Sequence, residues 1–368
     1  MPMLARLIEL LGEPALLAVG GAAIGILFGF FAQRSAFCLR AAVIEFWRGQ
    51  PGQKLAVWLL AFSAAVVAVQ VLVLSGAMDV SGARQLATRG SLSGALLGGL
   101  VFGAGMIMTR GCASRLLVLA ANGNLRALLS GLIFAVTAQA SLGGVLAPLR
   151  HAISQWWTVD GGPARDLLAV TGLGHWGGLA CGGVWLAAAL WYSLRSGWGL
   201  WKWVGGVGTG LMIAAAWWFT ASVAAESFDV VPVQGVTFSG PSAEWLMRVL
   251  ALPAPRPGFD FGLLPGVFAG SFVAAWLGGG LRLEGFKDGY GMRRYIAGAV
   301  LMGFGAMLAG GCAVGAGVTG GAVFALTSWL TLVGMWTGAG LTDRWLDRRG
   351  AASGPAPADE RAPALVAP

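Results

Sequence analysis

Nine separate apolar stretches of this chain are candidates to cross a bilayer, the eighth of them short, and that property decides most of what it can fold into. They fall at about 14–33, 54–75, 92–109, 126–147, 174–194, 203–222, 262–281, 295–309 and 320–341. A helix needs about 20 apolar residues to span the hydrocarbon core. In lipid every backbone amide must be satisfied within the protein, so only helices and closed barrels span it, and runs of this length are too long for barrel strands. The expected fold is therefore an all-α polytopic membrane protein. Composition agrees, with 57% hydrophobic residues against 11% charged, where a soluble domain carries about 25% charged. That balance excludes a disordered chain, a coiled coil and a secreted disulfide scaffold.

The net charge of +8 does not point to nucleic acid, because the basic residues sit in short gaps between apolar runs. Arg34, Arg40, Arg48 and Lys54, then Arg110, Arg115 and Arg126, fall on one side of the bilayer, and most of the remaining Lys and Arg join them. Arg6, Arg84, Arg89, Arg150, Arg165, Arg248 and Arg256 fall on the other. The positive-inside bias then places the N-terminus outside and the C-terminus in the cytoplasm of a bacterial inner membrane. The start of the chain reads as a retained first span, since it lacks a basic lead and a small-residue cleavage site. Four cysteines without a CxxC pair, and two histidines, give no metal site. No phosphate-binding G-x-x-x-x-G-K-[ST] run occurs, and no cofactor is expected.

An internal repeat organises the spans. Gly103-Ala104-Gly105 and Gly111-Cys112-Ala113 recur 200 positions later as Gly303-Phe304-Gly305 and Gly311-Cys312-Ala313. Five spans separate equivalent helices, an odd number, so the halves must run in opposite senses. The expected organisation is a first inverted repeat over 1–147, a linker with the fifth span over 148–202, a second repeat over 203–342, and a disordered cytoplasmic tail over 343–368. Inverted repeats with a site at their interface are an architecture of solute transporters.

Glycine pairs break a membrane helix, and broken backbone at membrane depth survives only where it is packed in protein or lines a cavity. Thr109-Arg110-Gly111-Cys112 and Gly310-Gly311-Cys312 are therefore read as re-entrant turns opening short half-helices. A half-helix N-terminus attracts anions, and Arg110 and Arg115 reinforce that sign. A thiol is a weak donor and a polarizable group, which suits a solute with a terminal sulfur. Taken singly, a buried cysteine more often packs between helices; two at matching repeat positions favour a site. Cys38, in Arg34-Ser35-Ala36-Phe37-Cys38 after the first span, reads either as an incidental loop cysteine or as a third thiol, with serines (Ser222, Ser227, Ser239) in its place in the second half. Cys181 on the linker helix reads as packing. Asn122 and Asn124 are candidate anion donors or caps for broken backbone. The polar segment 223–261 is expected to form an outer vestibule or lid.

At these residues the chain resembles the YeeE/YedE, or sulphur transport, family. The resemblance rests on Arg34–Val43, Gly111–Arg115 with Asn122-Gly123-Asn124-Leu125, Val233-Gln234-Gly235-Val236-Thr237-Phe238, and Gly310–Gly317. It implies an hourglass of inverted repeats in which cysteines relay thiosulfate through S–H···S contacts. Cys112 and Cys312 match the family's two glycine-flanked cysteines, and Cys38 matches the one after the first span. A further pathway cysteine of thiosulfate-importing relatives has no counterpart. A cytoplasmic sulfurtransferase that consumes the imported sulfur is a further family-level implication.

The expected function is import of a small sulfur-containing anion, thiosulfate first, along Cys38, Cys112 and Cys312 with Arg110, Arg115, Gly111, Gly311, Asn122 and Asn124. Another sulfur or selenium species is the alternative cargo. A membrane thiol–disulfide oxidoreductase would need a bridgeable cysteine pair, and an accessory subunit would need no cavity.

Overall fold

The computed structural model describes residues 2–50, 52–195, 199–227, 229–250, 257–285 and 289–352. Its principal helices are α1 (Glu13–Ser35), α2 (Leu39–Trp47), α3 (Gln53–Leu74), α4 (Leu92–Met108), α5 (Ala113–Ala121), α6 (Leu125–Gly143), α7 (Gly174–Arg195), α8 (Leu200–Glu226), α9 (Ser239–Leu250), α10 (Phe259–Leu277), α11 (Gly289–Ala309) and α12 (Leu326–Ala352). A π-helical turn, Ala313–Thr319, lies between the last two. Eight segments are long and apolar enough to cross a membrane, which makes this a multi-pass membrane protein. The ninth expected span is α12. Its Thr and Trp residues and its Asp343-Arg344 pair lower its hydropathy, yet it packs along α4 like the others.

Glycine seams set the helix pairs. Lipid tails are as apolar as leucine, so helices in a bilayer associate by close packing rather than by hiding apolar surface. Gly21, Gly25 and Gly29 of α1 run alongside Phe259, Leu263 and Val267 of α10, while Gly262, Gly266 and Gly270 of α10 face Ala18, Ala22 and Ile26. The two helices are therefore parallel. A Cβ at Gly262 would stand 1.7 Å from the Ala18 carbonyl oxygen, so no side chain fits there. Helices α4 and α12 pair in the same parallel way through Gly99, Gly103, Gly334 and Gly338, and α3 lies parallel to α8. Across the centre, Gly98 and Gly105 of α4 meet Gly305 and Gly298 of α11, antiparallel.

Between the long helices sit the short ones: α2, α5, α9 and the π turn. They begin at Cys38, Cys112, Ser239 and Cys312 respectively. Helix α2 is fastened at its far end. Oε2 of Glu45 accepts from the Gly52, Lys54 and Leu55 amides at 2.8–3.1 Å, capping the start of α3. Arg48 donates to both carboxylate oxygens of the buried Asp343 on α12, at 2.9 and 3.1 Å.

Two expectations change. The tail was expected to start at 343 as disordered chain, but α12 continues to Ala352 and Asp343 is a buried tether; residues 353–368 lie outside the described residues. The 223–261 segment, expected to form an outer vestibule or lid, packs partly into the bundle, and its residues 228 and 251–256 lie outside the described residues. Its apolar residues Val231, Val236 and Phe238 are buried, the Val236 carbonyl accepts from Thr319, and the chain then enters α9. Helix α8 satisfies backbone of this segment: Thr220 Oγ1 donates to the Gln234 carbonyl and accepts from the Gln234 amide.

Candidate functional site

Two of the short helices bring their first residues together. Cys38 occupies the N-cap position of α2 and Cys112 that of α5, both in extended backbone and both buried. Their thiols are neighbours, and the Arg115 guanidinium stands beside both. Ser114 Oγ is 3.4 Å from Cys112 Sγ, and Arg115 donates to Gln33 Oε1 at 3.3 Å. Thiol, hydroxyl, amide and guanidinium thus gather at two helix N-termini, which carry partial positive charge. Such a cluster favours an anion with a soft end.

The turn before Cys112 is strained. Arg110 adopts φ +58°, a left-handed conformation that costs a residue with a Cβ roughly 1–2 kcal/mol. Its counterpart 200 positions on is Gly310, at φ +80°, where no such cost arises. Thr109 Oγ1 braces the turn, 2.9 Å from both the Gly105 and Gly111 carbonyls. Gly111 is buried at the turn, and Gly311 would clash with Ala316 if it carried a side chain.

Asn122 and Asn124 lie at the other end of α5. Asn124 caps α6 through its side-chain oxygen, 2.9 Å from the Ala127 amide, and its amide nitrogen donates to Glu284. The backbone of 122–124 pairs with 282–284. Both ends of the Asn124 amide are therefore committed to structure. Asn122 Oδ1 is buried without a hydrogen-bond partner. Cys181 packs against the core from α7, the helix that lies along α3.

Cys312 opens the π turn on the opposite half of the molecule and is fully buried; its sulfur accepts from the Gly315 amide at 3.4 Å. Thr109 lies level with Gly298, whereas Ala309 lies level with Gly98. From Gly298 to Ala309 is eleven residues of α11, or about 16 Å at 1.5 Å per residue. Cys112 therefore pairs with Cys38, and Cys312 stands at a separate level. The α5 helix and the π turn nonetheless touch.

At the Cys312 level the structure opens. A cavity of about 390 Å³ reaches Gly310, Ala316 and Ser328, and its walls carry Arg84, Arg89, Arg150 and Arg165. Arg165 is buried and donates to the Thr88 carbonyl and to Thr327 Oγ1 at 2.5 and 2.7 Å. Burial, with Arg84 alongside, pulls its pKa down to about 10, so it stays charged at neutral pH. Arg150 Nε and Gln85 Oε1 are buried without hydrogen-bond partners. Sequence reasoning missed this basic chamber. The available signal was the arginines on the short loops expected to lie outside, against the charge bias of the rest of the chain.

Helix seams, buried thiols at broken helices and a basic chamber define a membrane transporter rather than an enzyme. The sulphur transport family model matches residues 34–341, and the chain belongs to that family. Among its relatives, a thiosulfate transporter TsuA of Spirochaeta thermophila is 26% identical over 337 residues, covering 86% of this chain and 96% of that protein. A thiosulfate transporter TsuA of Escherichia coli K12 is 25% identical over 345 residues, covering 88% of this chain and 94% of that protein.

Proposed function

We propose that this protein imports thiosulfate across the bacterial inner membrane through a passage lined by Cys312, Cys112 and Cys38. The observation that carries this reading is the placement of three buried thiols at the N-termini of short helices, at two levels, with the basic chamber reaching Gly310 and Ala316 on either side of Cys312 in the chain. Thiosulfate has oxyanion oxygens for arginines and helix amides, and a terminal sulfur that accepts from a thiol. The arginines of the chamber concentrate the anion. Cys312 then meets its soft end, and the Cys38–Cys112 pair receives it beside Arg115. Weak, successive contacts permit both entry and release.

The helix contacts support an inverted repeat in which 1–147 and 203–342 are equivalent. The α1–α10 pair answers the α8–α3 pair, and α4–α12 answers α11–α6. The repeat also aligns Gln33-Arg34-Ser35-Ala36-Phe37-Cys38 with Gln234-Gly235-Val236-Thr237-Phe238-Ser239, so Ser239 is the counterpart of Cys38. We assign the chamber to the outer face, with the N-terminus outside and the C-terminus in the cytoplasm. A cytoplasmic sulfurtransferase that consumes the product would draw uptake inward.

The test is uptake of labelled thiosulfate into proteoliposomes. Cys112→Ala and Cys312→Ala, at matched protein abundance, should each lower the rate about tenfold or more, the equivalent of losing about 1.4 kcal/mol or more at the limiting step. Parent-like rates in both variants would remove the thiols from the mechanism. Competition by sulfite, sulfate and selenite then ranks the cargo; thiosulfate should compete best.

A further inference from the structure

The geometry points to a second anion-binding site at the Arg110 end of the molecule, beyond the Cys38–Cys112 pair, formed by Arg40, Arg110 and Arg294 and suited to a small oxyanion. It rests on the reading of the molecule as an anion passage and adds a station at its inner mouth.

Three observations converge on it. Arg40 stands two residues past Cys38, in the first turn of α2, and its electrostatic neighbours are Cys38, Arg110, Asp343 and Arg294. Its Nε is buried and has no hydrogen-bond partner. Like charges do not gather in this way without a counter-charge, and the one carboxylate in the group, Asp343, already receives a two-point hydrogen bond from Arg48. The cluster is therefore left with excess positive charge.

The second observation is the backbone at Arg110. The sister turn uses Gly310 for the same left-handed conformation, where glycine is free of strain. Arginine is the costlier residue at this position, and strain of this kind is held at functional sites. Its exposed side chain puts a guanidinium at the mouth, where the sister half has none.

Third, Arg294 is anchored rather than free: it donates to the Ile107 carbonyl at 3.3 Å, on the last turn of α4 before Arg110. That bond holds its guanidinium at the cluster. Guanidinium groups bind oxyanions by parallel N–H donors, with geometric preference for planar or tetrahedral oxygens. Sulfate and the oxygen end of thiosulfate both fit that chemistry. A basic station on each side of the thiol levels lets one anion displace the next, as in multi-site conduction.

The experiment titrates sulfate and thiosulfate into the purified full-length protein by calorimetry, and measures thiosulfate flux in oriented proteoliposomes with the anion supplied at one face at a time. Arg110→Gly should keep or raise the melting temperature, because glycine relieves the turn. It should raise the KM about fivefold or more for anion supplied at the Arg110 face and leave the KM at the chamber face unchanged. Arg40→Gln should shift the same face in the same direction, and each variant should weaken calorimetric sulfate binding. Wild-type affinity for sulfate in both variants, or an Arg110→Gly protein that melts lower, would overturn the site. Calorimetry reads the site without transport, so parent-like uptake in both Cys112→Ala and Cys312→Ala would sink the thiol passage and leave this assignment standing or falling on its own titration.

Discussion

At the scale of single residues, sulfur and arginine divide the work. In the proposed repeat a hydroxyl, Ser239, answers Cys38, which predicts that the position tolerates a donor harder than a thiol. Cys38→Ser should therefore retain uptake within a few-fold of the parent, while Cys38→Ala should lose about tenfold, measured as initial rates at equal abundance. Arg150 makes the complementary case at the chamber. Its Nε has no partner to lose, so Arg150→Gln should raise the KM for external thiosulfate by about tenfold, or 1.4 kcal/mol, without moving the melting temperature. Arg165→Gln should do both, because the Thr88 carbonyl and Thr327 hydroxyl lose their donor; leaving such groups unmet costs about 1–3 kcal/mol. At this scale the sequence is legible where a rare residue repeats. Gly-Cys at 111–112 and 311–312 stands out, whereas the contact between Cys38 and Cys112 does not, because nothing in residue order brings α2 and α5 together.

At the scale of elements, close approach of backbones decides stability. Gly266 faces Ala22, and an added Cβ would lie 2.4 Å from its carbonyl oxygen. Gly266→Ala should therefore cost about 1–3 kcal/mol through overpacking, seen as a lower melting temperature in detergent. Gly131, with nothing within 4 Å of an added Cβ, is the control, and Gly131→Ala should be neutral or stabilising by up to about 1 kcal/mol. Long helices such as α3 and α10 announce themselves by length and apolarity alone. The short ones do not. Helix α9 begins at Ser239 inside a stretch whose Glu, Asp, Ser and Pro content reads as solvated loop. The stretch leading into it is held by the Val236 carbonyl at Thr319 of the π turn and by Phe238 against Phe28 of α1, tertiary facts with no local signature. The end of α12 was misread for the same reason: Asp343 looks like a solvent-facing charge until Arg48 arrives from a segment 295 positions away.

At the scale of the whole molecule, glycine seams set which helices run parallel, and charge bias predicts which face of the membrane each end occupies. A fluorescent protein fused after α12 should fold and fluoresce in the cytoplasm, and a periplasm-dependent reporter at the N-terminus should be active; the reverse pattern would invert the passage. The parallel partnership of α1 with α10 carries a consequence for how the protein is made. Gly21 meets Phe259 and Gly29 meets Val267, so each contact joins residues whose translation is separated by most of the chain. While the ribosome works through the intervening segments, α1 has its seam turned toward lipid with no companion to close on. Neither half is a finished product before the other has been inserted, and the bundle locks late, near the end of synthesis. Cells given the gene in two pieces, cut in the linker, should accumulate each fragment only when both are expressed together.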